Sequence, residues 1–90
     1  MSALIFFKSQ NYPNPFNPST EIKFAVAKDG MVSLKVYDLL GKEVASLVNG
    51  DMKAGGYTVT FDASKLSTGM YIYQLISGGT TLSHKMMLLK

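Results

Sequence analysis

Ile22-Lys23-Phe24-Ala25-Val26-Ala27-Lys28-Asp29-Gly30-Met31-Val32-Ser33-Leu34-Lys35-Val36-Tyr37 is the stretch that decides the fold class. Large apolar residues occupy every second position on both sides of Asp29-Gly30: Ile22, Phe24 and Val26 before it, Val32, Leu34 and Val36 after it. Lys23, Ala25, Ala27, Ser33, Lys35 and Tyr37 fill the alternate positions. A repeat of two puts successive side chains on opposite faces of a pleated strand, so each run predicts a strand with one buried face. Asp-Gly between them has the chemistry of a turn. Tyr57, Val59 and Phe61, alternating with Thr58, Thr60 and Asp62, repeat the pattern further along.

Outward from this stretch, turn signals recur at Gly41-Lys42, Asn49-Gly50, Gly55-Gly56, Ser67-Thr68-Gly69 and Gly78-Gly79. Their spacing of about 8–12 residues is that of short antiparallel strands in a sandwich or barrel. Gly41 joins two strands where a residue without Cβ takes positive φ freely. Two segments also fit a helical repeat: Val32, Val36, Leu39 and Leu40, and later Leu82, Met86 and Leu89. The interval between Gly30 and Gly41 is short and rich in strand formers, so the first is read as a strand. The second pairs with Met70–Ser77 through a two-residue Gly78-Gly79 hairpin. Met70 to Ile76 is apolar on both faces, with Tyr71, Tyr73 and Leu75 on one and Met70, Ile72 and Ile76 on the other. It predicts a central strand covered twice, or one whose outer face binds something. Asp62-Ala63-Ser64-Lys65-Leu66 offers a single helical turn capped by Asp62. The sum is an all-β, immunoglobulin-like antiparallel β-sandwich of about six or seven strands.

All three prolines fall in Tyr12-Pro13-Asn14-Pro15-Phe16-Asn17-Pro18. Each removes a backbone donor and pushes its predecessor toward extended geometry, so the segment is neither helix nor central strand. Tyr12 and Phe16 are available as anchors, which favours ordered packing over a plain linker.

Composition bounds the function. The chain has 90 residues, 47% hydrophobic and 17% charged, which is one small domain and too apolar for a disordered tail. It carries a net charge of +3 without a single arginine, and its lysines are scattered, so nucleic-acid reading by bidentate forks is excluded. The absence of cysteine removes disulfides, zinc–thiolate sites and thiol nucleophiles. Glu21, Asp29, Asp38, Glu43, Asp51 and Asp62 sit mostly at strand ends and turns, where carboxylates serve turn geometry rather than paired acid–base work. His84 is the only histidine and has no partner ligand, so neither a metal nor a cofactor is expected. No phosphate-cradling loop or hydrolase motif is present. The chain is read as non-enzymatic. Met1 to Lys8 has too short an apolar run for a secretory leader, and Met1 reads as an added start on a fragment.

Two binding features stand out. Tyr71 and Tyr73 project from one strand face and could stack on sugar rings, or cover the core edge. Lys85-Met86-Met87-Leu88-Leu89-Lys90 brackets four large apolar residues between lysines, as a strand buried between sheets or as a terminal edge strand displayed to a receptor.

Four blocks then match a known pattern in order and spacing: Gln10-Asn11-Tyr12-Pro13-Asn14-Pro15-Phe16-Asn17-Pro18-Ser19-Thr20, Val36-Tyr37-Asp38-Leu39-Leu40-Gly41-Lys42-Glu43-Val44, Leu66-Ser67-Thr68-Gly69-Met70-Tyr71-Ile72-Tyr73, and Lys85 to Lys90. Over Gln10 to Lys90 the chain resembles the type A C-terminal sorting domains of the type IX secretion system. Lys8 stands where that family usually has an apolar residue. The resemblance implies residues 10–90 as the sorting domain and residues 1–9 as a residual linker or first strand. It implies a sandwich that folds in the periplasm on the way to the cell surface or beyond, in Bacteroidetes-type bacteria. The implied partners are an upstream cargo domain, an outer-membrane translocon with its shuttle protein, and a surface sortase cutting at or before Ser9, after which cargo is released or attached to lipopolysaccharide. By matching position, Gly41, Lys42, Gly69, Tyr71, Lys85, Met86, Met87, Leu88, Leu89 and Lys90 are the candidates for translocon recognition, with Tyr12, Pro13, Pro15, Phe16 and Pro18 as the structural motif that opens the domain. The rival is a carbohydrate-binding or inert immunoglobulin-like accessory module of a secreted enzyme. An exposed terminal edge strand also makes a homodimer conceivable.

Overall fold

The structure, a computed structural model, describes residues 5–90; the reading of Met1 as an added start lies outside the described residues. The alternating runs become strands as their periodicity requires. In chain order these are β1 (Ile5–Phe7), β2 (Ser19–Val26), β3 (Gly30–Asp38), β4 (Glu43–Met52), β5 (Gly55–Asp62), β6 (Gly69–Ser77) and β7 (Thr80–Leu88). They form two antiparallel sheets, β1-β2-β5 and β4-β3-β6-β7. This is the immunoglobulin-like sandwich with one change: the fourth strand pairs with the third instead of the fifth, giving three strands against four.

The residues that alternation marked as inward fill the space between the sheets: Ile22, Phe24, Val32, Leu34, Val36 and Phe61 are all buried in one continuous cluster. Tyr73 and Leu75 join it, which settles the inner face of β6 that the sequence left open. Phe24 stacks on Tyr57 with ring centroids 5.6 Å apart, one of the contacts between neighbouring strands β2 and β5. β7 is a strand and not a helix. Ser77 pairs with Thr80, and Gly78 and Gly79 both have positive φ (56° and 83°), the twist a two-residue hairpin needs.

Three local expectations change. Asn49-Gly50 is not a turn: both residues lie inside β4, and the chain reverses at Lys53-Ala54. There Asp29 Oδ1 accepts the Ala54 N–H at 2.7 Å, so the turn's chemistry comes from a carboxylate distant in sequence. Asp62–Leu66 is a turn rather than a helix; Asp62 Oδ1 accepts from Ser64 N at 2.9 Å and Ala63 O from Leu66 N at 2.9 Å. β6 is central in its sheet but covered on one face only, with Met70, Ile72, Gln74 and Ile76 half-buried on the outside.

Candidate functional site

The β3–β4 turn is held by one carboxylate. Asp38 Oδ1 accepts the N–H groups of Leu40 and Lys42, both at 2.9 Å, while Gly41 turns the chain with φ of 86°. The locked loop holds Leu39 at 62% exposure and Leu40 at 95%. Lys42 is exposed beside them, and among the described residues no carboxylate lies within ion-pair reach of it.

Antiparallel register brings the other candidates to the same end of the sheet. Asp38 pairs with Tyr71, Gly69 with Leu88 and Met70 with Met87. Three blocks that are far apart in sequence therefore meet where β3 ends, β6 begins and β7 ends. On the outer face, Tyr37, Ile72 and Lys85 form one cross-strand row, and Lys35, Gln74 and Ser83 the next. An open groove of about 360 Å³ runs between Tyr37, Asp38, Leu39, Gly41, Ile72 and Gln74. Lys35 is tied to Glu43 at 3.2 Å. The result is a partly apolar, cation-flanked surface.

The tail splits by alternation. Met86 and Leu88 are buried in the core, Lys85 and Leu89 are exposed and Met87 is half-buried. Lys90 is tied back, its N–H donating to Thr68 Oγ1 at 3.1 Å and its Nζ to Ser64 O at 2.6 Å. Tyr71 and Tyr73 both face inward, at 7% and 0% exposure, so they offer no platform for sugar stacking. Tyr71 Oη donates instead to Ser67 O at 2.7 Å, bracing the turn before Gly69.

The proline-rich segment lies along the outer edge of β7. Phe16 N donates to Met87 O at 2.9 Å, and Leu89 N to Phe16 O at 2.9 Å, in a parallel bridge. Asn14 Oδ1 accepts from Met87 N at 3.0 Å, and Gln10 Nε2 donates to Lys85 O at 2.9 Å. The Phe16 ring is the anchor, buried 6.1 Å from Phe61. Tyr12 is not an anchor: its side chain is 79% exposed, and only its backbone pairs, with Glu21. Pro13 O accepts from Thr20 Oγ1 at 2.8 Å and Pro18 O from Ala63 N at 2.9 Å. Pro15 is exposed.

Polar residues that the sequence did not single out hold this strap. Asn11, 2% exposed, donates Nδ2 to Thr20 Oγ1 (3.0 Å) and Pro13 O (3.2 Å), accepts from Gln10 Nε2 (2.7 Å), and donates its N–H to Tyr73 Oη (3.1 Å). Burial pushes the Tyr73 phenol above its ordinary range, opposed by that Asn11 N–H. His84 Nδ1 sits 3.4 Å from Tyr73 Oη and 3.2 Å from Gln10 Oε1, under the Phe7 ring. For Gln10, Asn11 and Thr20 the only sequence signal was membership of the Gln10–Thr20 block, while Tyr73 and His84 were noticed for other roles. Among the described residues no group of histidine, cysteine or carboxylate side chains could hold a metal. Asp29, Asp38 and Asp62 all serve turns, as their positions in the sequence suggested.

No curated protein matches the chain. The family model for the secretion system C-terminal sorting domain matches residues 10–89, a span that takes in the strap, the β3–β4 turn, the start of β6 and nearly all of the tail. The chain therefore belongs to the C-terminal sorting domains of the type IX secretion system, signals for export to the cell surface or beyond.

Proposed function

We propose that the end of the four-stranded sheet built by the Leu39-Leu40-Gly41-Lys42 turn, the Gly69–Tyr71 block and the Lys85–Lys90 tail is the face read by the outer-membrane translocon and its shuttle protein. The observation that carries this is the convergence of these blocks on one edge of the sandwich, which their sequence separation does not require. Met86, Leu88 and Tyr71 support the reading face from inside, while Leu39, Leu40, Lys42, Lys85 and Leu89 are its accessible part. The domain passes the periplasm folded, carries an upstream cargo out, and is then cut off by a surface sortase at or before Ser9. It acts by shape and needs no catalysis.

Deleting Lys85–Lys90 cannot test this, because it takes Met86 and Leu88 out of the core. Surface variants can. The whole chain, which keeps β1 and the buried Ile5 in place, is fused behind a periplasmic reporter in a type IX-competent host, with Leu40→Asp and Lys85→Glu compared against Lys28→Glu on the far β2–β3 loop. Export lost in the first two, with melting unchanged, is the expected result; export equal in all three overturns the assignment.

A further inference from the structure

Four strands lie at sheet edges, and the chain treats them differently. β1 is only three residues long. β7 is strapped by Gln10, Asn14 and Phe16. β4 is bent by two register shifts against β3 and carries Glu43 and Asp51. Among the described residues β5 has neither the shortness, nor a strap, nor a register shift, and its one charge, Asp62, stands at its last position. Its eight residues pair with β2 in unbroken register from Gly55 to Asp62, with no proline and no lysine in Gly-Gly-Tyr-Thr-Val-Thr-Phe-Asp.

Bonding parity fixes what this edge offers. Glu21 exchanges both main-chain bonds with Tyr12, and Lys23 O accepts from Lys8 N, so the odd-numbered residues of β2 face away from β5. Even-numbered Ile22 and Phe24 then bond to Val59 and Tyr57, and the N–H and C=O groups of Gly56, Thr58 and Thr60 point outward from the sheet.

We propose that this edge pairs with β5 of a second copy, antiparallel about a two-fold axis at Val59, joining two three-stranded sheets into one of six strands. Thr58 then faces the partner's Thr60 on the outer face, and the two Val59 side chains meet on the inner face, both favourable cross-strand pairs. Gly56 faces the partner's Asp62. Charge selects this register. The Lys8 ammonium already lies over Gly56, in the space a side chain there would fill. Asp62 is exposed, with Oδ1 held by Ser64 N. The two-fold sets each Lys8 beside the partner's Asp62, twice over. A shift of one residue would turn the inner face out, and a shift of two would separate the charges. A closed isologous pair follows, not a filament.

Sedimentation equilibrium over a micromolar-to-millimolar series tests this on the whole chain. A reversible monomer–dimer equilibrium is expected, abolished by Thr58→Lys, whose site is exposed in the monomer. Lys8→Glu should weaken the dimer about fivefold, and adding Asp62→Lys should restore it. Hydrogen exchange gives a second readout that needs no variant: Thr58 and Thr60 amides gain protection only at dimer concentrations, while Val59, already bonded to β2, does not change. A monomer throughout the series, or a dimer indifferent to Thr58→Lys, overturns the proposal. So does a dimer lost with Ser83→Lys instead, which would place it on β7.

Discussion

Asn11 is the residue on which the strap turns. Its side chain lies inside the protein with every polar group engaged, and its N–H depends on the Tyr73 hydroxyl. Truncation removes the buried bonds from Nδ2 to Thr20 Oγ1 and Pro13 O and leaves a void among them, so Asn11→Ala should cost about 1–3 kcal/mol in denaturant unfolding. Tyr73→Phe leaves the Asn11 N–H buried without an acceptor and should cost about as much. Tyr73 also sets a pH dependence. Burial raises its phenol above the ordinary value of 10.0, so the folded state keeps the proton after the unfolded chain has released it. Above that value the unfolded state binds fewer protons, and stability falls as pH rises; below it the contribution is fully present. Melts between neutral and strongly alkaline pH should show the parent losing stability faster than Tyr73→Phe once pH exceeds 10.0, and parallel curves would refute this. None of this was legible at Asn11 itself. Asparagine before a tyrosine and a proline has the composition of a turn, and its burial depends on Thr20 and Tyr73, which only the fold brings near.

At the level of elements, period-two patterning was enough to place the inner faces of β2, β3 and β5, because one buried face forces register, whereas β6 is apolar on both sides and its inner face was not legible. β4 resisted because of its shape. Leu47 and Val44 are the extra residues where its pairing with β3 slips, between Val48 and Ser46 and between Ala45 and Glu43. Exposure along β4 therefore loses its alternation, and Asn49-Gly50 looked like a turn inside a strand. The strap was legible as ordered but not as an edge cover, since nothing in Pro13–Pro18 names its partner strand. Its grip can be measured. Phe16→Ala removes a buried ring and should cost about 3–5 kcal/mol. The amides of Met87 and Leu89, which bond to Asn14 and Phe16, should lose exchange protection before those of β3. Uniform loss across both sheets would mean that the strap and the core are one unit. Gly41→Val forces a branched side chain into a left-handed turn and should cost about 1–2 kcal/mol.

The whole molecule rests on one core shared by both sheets, with no disulfide beneath it. A domain of this length is stable by about 5–13 kcal/mol. Leu34→Ala, at a fully buried position, should remove about 2–5 kcal/mol of that and lower Tm by about 10–30 °C, in a single transition seen alike by tyrosine fluorescence and far-UV circular dichroism. Separate transitions would mean that the sheets do not share a core. The same variant separates two ways in which a secretion signal can be read. Leu34 lies between the sheets, so its truncation leaves the outer chemistry of the turn and tail in place while loosening the frame that holds them. Leu40→Asp does the reverse, altering a side chain at 95% exposure and leaving the core intact. If the machinery reads a rigid surface, both variants lose export, Leu34→Ala more steeply as temperature rises toward its lowered Tm. If it reads an unfolded tail, Leu34→Ala exports as well as the parent or better, and the gathering of Gly41, Gly69 and Lys85 at one end of the sandwich has no part in recognition.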